Sequence, residues 1–145
     1  MILVDVNLLL YAHDRSSPIY TIARRWFLNA LDGPEPVALP WSSVLGFIRL
    51  STSPKAFQDP FSIEEAVETV DSWFSQPASI LLHTGEEHWP HLRDLLLKTG
   101  TKGPLVTDAH LAALAIEHQA TLATRDGDFS RFPGLRTVNP LASEP

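Results

Sequence analysis

The chain has 145 residues, a length that suits one domain, spanning 1–145, able to bury roughly 70% of the surface its unfolded form exposes. With 44% hydrophobic and 19% charged residues and no apolar run near the ~18 residues of a membrane span, a soluble protein without a membrane partner is expected. The net charge of −6 argues against general affinity for nucleic-acid phosphates, and the absence of cysteine excludes disulfides and thiolate metal sites. The charge leaves room for an acidic, cation-holding pocket with Arg24, Arg25, Arg49, Lys98, Lys102, Arg125 and Arg131 distributed around it. The start "MILVDVNLLLYAHD" lacks the basic region of a signal peptide and carries Asp5 and Asn7, so a cytoplasmic location is expected.

In chain order, Ile2 to Val4 reads as a strand ending at Asp5, and "NLLLYAH" takes on helical spacing. "SSPIYTIARRWFLNALDG" predicts a helix with Ser17 as N-cap, Pro18 at the first position, an apolar row of Ile22, Trp26 and Ala30, and Gly33 past its end. "PVALP" is a strand candidate, followed by a helix in "WSSVLGFIRLSTS" with Val44, Phe47 and Ile48 on one face and Gly46 inside. Ser62 and Glu65 have capping-box spacing ahead of a helix with Ala66, Val67, Val70 and Phe74 on one side. "SILLH" predicts a strand, and "EEHWPHLRDLLLKTG" a helix with acidic residues in its first turn and Lys98 and Gly100 at its end. After the loop "TGTKGP" come the helix "DAHLAALAIEH", the strand "ATLAT", the loop "RDGDFSRFPG" and a last strand around "RTVNP". Strands alternating with helices imply an α/β fold, a mostly parallel sheet of about five short strands between two helical layers.

Ligand crevices of such a sheet form outside the carboxyl ends of its strands. Asp5 ends the first strand, Asp126 lies just beyond "TLAT", and Asp108 begins a helix that starts at the same edge. Alone, each has a plain reading: Asp108 as a helix cap, Asp5 as a turn former, "RDGD" as a turn. Together they converge, and three adjacent carboxylates repel unless a cation neutralises them. Oxygen ligands favour a hard ion, Mg²⁺ or Mn²⁺, which activates water for in-line displacement at phosphorus.

These residues resemble the PIN-domain ribonucleases, in particular the VapC-type toxins of bacterial toxin–antitoxin pairs, and the resemblance covers essentially the whole chain. "ILVDVNLLLYA" is similar to the family's opening, with its first metal-binding aspartate at Asp5 and a polar partner at Asn7; "VTDAHLAALAIEHQATLATRDGDFSRF" carries the second at Asp108, the later acid at Asp126, and Asp128 before the Phe. The resemblance implies a Mg²⁺-dependent endoribonuclease that cuts structured RNA such as tRNA or ribosomal RNA, forms a homodimer and is silenced by a cognate antitoxin. One departure stands out: the family's glutamate in the helix after the second strand is replaced by Gly46, and Glu35 precedes that strand. That departure favours a single-ion site, or an ion completed by substrate phosphates and water, with Arg49 and Arg125 as candidates to contact RNA alongside Asn7.

A catalytically weak or inactive PIN fold that binds RNA or protein is the alternative; an aspartyl-phosphate phosphatase using Asp5 expects a second aspartate where Asn7 stands. Glu87, His88 and His91 lack the spacing of a zinc motif and read as a solvated helix face, while His110, two residues after Asp108, points about 200° away from it on a helix. His13 and His118 read as surface or packing residues, and Trp26, Trp41, Trp73 and Trp89 as core or interface residues. An antitoxin arginine inserted into the acidic pocket, with Trp26 or Phe47 holding an amphipathic helix, would block such a site.

Overall fold

The computed structural model describes residues 1–142, so the expected domain limit at residue 145 lies outside the described residues. Five short strands form one sheet: β1 (Ile2–Val4), β2 (Val37–Pro40), β3 (Ser79–Leu82), β4 (Thr121–Ala123) and β5 (Arg136–Val138), in the order β3-β2-β1-β4-β5. Every neighbouring pair is parallel, so all carboxyl ends emerge at one edge. The central strand is the one nearest the amino terminus, and Val4 is paired with Ala123. Leu3, Val4, Val37, Ala38, Leu39, Leu122 and Ala123 are all buried, as continuous apolar strands covered on both faces should be.

Residue parity divides the core. Leu3, Ala38 and Leu122 face a cluster built on α5 (His88–Thr99) and α6 (Val106–Glu117), where Ala109 and the run Leu111 to Ala115 are all buried. Val4, Val37, Leu39 and Ala123 face the cluster of α1 (Val6–Tyr11), α2 (Tyr20–Leu31), α3 (Trp41–Ser51) and α4 (Ile63–Phe74). The sheet therefore separates two helical layers, the arrangement expected from alternating strands and helices.

That second cluster closes on an aromatic group. The His13 ring lies 5.2 Å from Phe47, 5.3 Å from Trp73 and 5.8 Å from Phe27. Trp73 Nε1 donates to His13 Nε2 at 3.2 Å, so Nδ1 carries the proton, which it donates to the Leu9 carbonyl at 2.7 Å. Burial pushes the His13 pKa down to about 4, against the Leu9 bond and with help from Arg24.

Several local expectations shift. Ser17 does not cap α2, which begins at Tyr20; its hydroxyl accepts from the Ile19 N–H at 3.3 Å in a tight turn of its own. The buried row of α2 is Ala23, Phe27 and Leu31, one position round from the expected Ile22, Trp26 and Ala30, and Ile22 is exposed. The capping box of Ser62 and Glu65 forms as expected, yet Val67 faces solvent and Trp73 takes the buried place. Glu86 and Glu87 precede α5 instead of occupying its first turn. Trp73 is core and Trp26 packs against it, whereas Trp41 and Trp89 are exposed.

Candidate active site at the carboxyl edge of the sheet

Asp5 leaves β1 as the N-cap of α1, and its backbone N–H still donates to the Ala123 carbonyl of β4 at 3.0 Å. This continuation of the strand buries the carboxylate, which is only 5% exposed, beside the end of β4. Thr124, the next residue of that chain segment, donates its hydroxyl to Asp5 Oδ2 at 2.7 Å and accepts the Asp126 N–H at 3.0 Å. One buried threonine thus fixes both the first and the third aspartate.

Asp126 caps a 3₁₀ turn at Gly127–Arg131, its Oδ1 accepting the Asp128 N–H at 2.8 Å. Asp108 is not a cap: a 3₁₀ turn at Gly103–Leu105 runs directly into α6, which puts Asp108 in the third helical position. Its Oδ2 instead meets Arg131 Nη2 at 3.5 Å. Carboxylates near a helix start are favoured by the peptide dipoles without any cap bond.

Electrostatics ties the four acids together. Burial raises the pKa of Asp5, Thr124 and the Val6 N–H oppose it, and Asp108 and Asp126 push it further up. Asp108 is raised by burial and by Asp126, with Arg131 opposing and Asp128 adding. Asp128 itself is exposed at the rim.

Oxygen donors that repel one another fit a hard divalent cation. Among the described residues, no three His, Asp or Glu side chains form a ready-made metal cage. The chemistry nevertheless fits Mg²⁺, which characteristically takes one or two carboxylates and retains several waters.

Gly46 explains why α3 adds no carboxylate. A Cβ built there would lie 3.1 Å from Val6 Cγ2, so the glycine lets α3 close onto the start of α1 beside Asp5. α3 contributes Ser43 instead: its buried hydroxyl donates to the Val4 carbonyl at 2.8 Å and ties the helix to the end of β1. Thr124 and Ser43 are the members of this edge that the sequence does not single out, and Arg131, expected only as one of seven basic residues around an acidic pocket, is the one that meets Asp108. A hydroxyl ending an apolar strand two residues before an Asp is the one available signal, for Thr124.

Of the suggested RNA contacts, Arg125 is exposed with its guanidinium 5.4 Å from the Tyr11 ring centre. Asn7 is half-buried in the first turn of α1. Arg49 is exposed in the last turn of α3, about 12 Å along the axis from the helix start at the site edge. His88 departs from the solvated face expected of it: Nε2 lies 2.9 Å from His110 Nδ1, and Nδ1 lies 3.6 Å from Glu117.

A PIN domain model matches residues 2–135. Ribonuclease VapC37 of Mycobacterium tuberculosis is 39% identical over 142 residues, covering 98% of this chain and 99% of that protein. Among solved structures, VapBC2 of Rickettsia felis bound to a promoter DNA fragment is similar with a TM-score of 0.67 at 20% identity, over 95% of this chain and 98% of the other. A toxin–antitoxin complex from Klebsiella pneumoniae is similar with a TM-score of 0.63 at 20% identity, over 97% and 98%. With its parallel sheet, the carboxylates of Asp5, Asp108 and Asp126 at one edge, and matches along nearly its whole length, the chain belongs to the PIN-domain family and within it to the VapC ribonucleases.

Proposed function

We propose that this chain is an endoribonuclease toxin that requires a divalent cation, Mg²⁺ or Mn²⁺, and is held inactive by a cognate antitoxin. The observation that carries the reading is Asp5: a buried carboxylate, disfavoured as an anion by burial and by two neighbouring acids, that a bound cation would hold in its ionised form. Asp5, Asp108 and Asp126 would hold the ion. Bound there, it supplies a water of lowered pKa and positive charge for the phosphorus centre. Thr124 orients Asp5 and fixes the Asp126 backbone, and Asp126 with Asp128 shapes the turn that carries Arg131.

The relatives named ribonucleases support RNA as substrate, and the toxin–antitoxin structures support an antitoxin partner. Structured RNA such as tRNA or ribosomal RNA, contacted by Arg125, Arg49 and Asn7, and a homodimeric state complete the proposal. Cleavage of RNA that stops with EDTA, returns with Mg²⁺ and is absent in Asp5→Ala or Asp108→Ala is expected. Cleavage indifferent to both metal and substitution would overturn it.

Gly46 favours one second reading, a PIN fold that binds RNA or protein without cutting it, because α3 offers no carboxylate. Purified protein that binds one RNA yet leaves a panel of RNAs intact with every divalent metal supplied would support that reading instead.

A further inference from the structure

The guanidinium of Arg131 stands at the acidic edge with its hydrogen bonding incomplete. Its Nη2 meets Asp108 at 3.5 Å, at the limit of a hydrogen bond, and its Nε is buried with no partner. These two nitrogens are on one edge of the guanidinium, the edge that pairs with two oxygens of a carboxylate or phosphate.

The side chain is held in place from behind. Arg131 lies 4.9 Å from the ring centre of Phe132, which is buried in the core under α6. It also closes the 3₁₀ turn that Asp126 opens, so its backbone position is set by the same turn as that acid. Packing and turn together orient the cation before any ligand arrives, which lowers the ordering cost of binding.

We infer that Arg131 is a substrate-positioning residue whose guanidinium takes an oxygen of an RNA phosphodiester at the cleavage site through Nη2. The inference rests on the ribonuclease reading above. A cation that neutralised Asp108 would loosen its weak contact to Arg131 and leave Nη2 free for the phosphate. In the absence of RNA the same guanidinium offsets the repulsion around Asp108.

The test uses the full chain and fluorescein-labelled single-stranded RNA, with Asp5→Asn as the cleavage-silenced background in Mg²⁺. Anisotropy titrations over a range of salt read the affinity and its salt slope. Arg131→Ala is expected to weaken binding about tenfold and to lower the slope by about 0.7, the signature of one lost phosphate contact on a single strand. Arg131→Lys, which keeps a point charge without the fork, is expected to restore the slope and part of the affinity. In otherwise unaltered protein, Arg131→Ala should raise KM more than it lowers kcat. Unchanged affinity and slope, with only the melting temperature lowered, would make Arg131 a partner of Asp108 alone and overturn the inference. Failure of the unsubstituted protein to bind or cut any RNA would overturn the ribonuclease reading itself, a result distinct from a silent Arg131.

Discussion

Asp5 and His13 bracket the first helix, the one buried and the other partly so, and loss of solvent pushes both toward their neutral forms, yet they represent opposite solutions. His13 has a partner for each ring nitrogen and three aromatic rings around it, so neutrality costs it nothing in hydrogen bonds. Asp5 accepts from Thr124 and faces two more acids, and its surroundings leave it wanting a positive charge that the chain does not supply. Burial alone therefore does not mark a functional group. What marks one is burial with an unmet electrostatic need, which a fold retains where a ligand is to meet it.

The sharpest way to break the comparison is Asp5→Asn. The amide keeps an oxygen to accept from Thr124 and removes the repulsion, so cleavage should fall on the order of 10³-fold while the melting temperature holds or rises. Calorimetry beside an RNA cleavage assay reads both, and a variant that is active or markedly less stable would put Asp5 in the same class as His13. The linkage has a definite sign: a carboxyl raised in the fold binds its proton more tightly there, so its ionisation lowers stability as pH rises through the raised value.

His13 gives the next largest effect, in stability only and at the other end of the scale. Its folded pKa of about 4 lies below the unfolded value of 6.5, so the unfolded state gains a proton first as pH falls. Stability should decline between pH 6.5 and 4 by roughly 3 kcal/mol, read from urea unfolding at each pH, and a flat profile would remove His13 from the account.

Thr124→Val keeps the shape of the strand end and deletes the hydroxyl that serves both Asp5 and Asp126. A loss of 10–100-fold in cleavage or metal affinity, as is typical when a group orienting a metal ligand is removed, is expected with the fold intact by circular dichroism; ~10–100-fold is also the range for such outer partners generally. Full activity would show that Asp5 needs no orientation. The smallest change is Gly46→Ala, whose methyl would crowd the stiff, β-branched Val6 next to Asp5. A destabilisation of about 1 kcal/mol is expected, the overpacking outweighing the gain in helix propensity, and a more stable protein would mean that α3 has room to carry a larger side chain.

The inner strands were legible because parallel strands buried on both faces read as apolar runs, as in "ILV", "VALP" and "TLA", while the exposed edge strand "RTV" stands where its place after the last loop predicts it. Asp5 and Asp108 were legible as single charges inside apolar segments. The start of α2 was not, because Ser17 and Pro18 have the chemistry of a helix start and use it in a turn. The face of α2 slipped by one residue for a related reason: Ile22 and Ala23 are both apolar, and only the sheet decides which one turns inward. The pairings of Thr124 with Asp5 and of Arg131 with Asp108 were not legible locally, since the partners lie 119 and 23 residues apart along the chain.

The central pairing of β1 with β4 also sets a schedule. One half of the acidic edge is made within the first five residues of the chain, and the other half waits for Asp108 and Asp126. A growing polypeptide that has emerged as far as α5 carries Asp5 with neither companion, and its central strand lacks a neighbour on one side. A non-local parallel pairing of this kind forms late and slowly. On the nuclease reading proposed above, the topology would act as a safety interlock, because a chain that has not yet reached Asp108 and Asp126 lacks the assembled acidic edge.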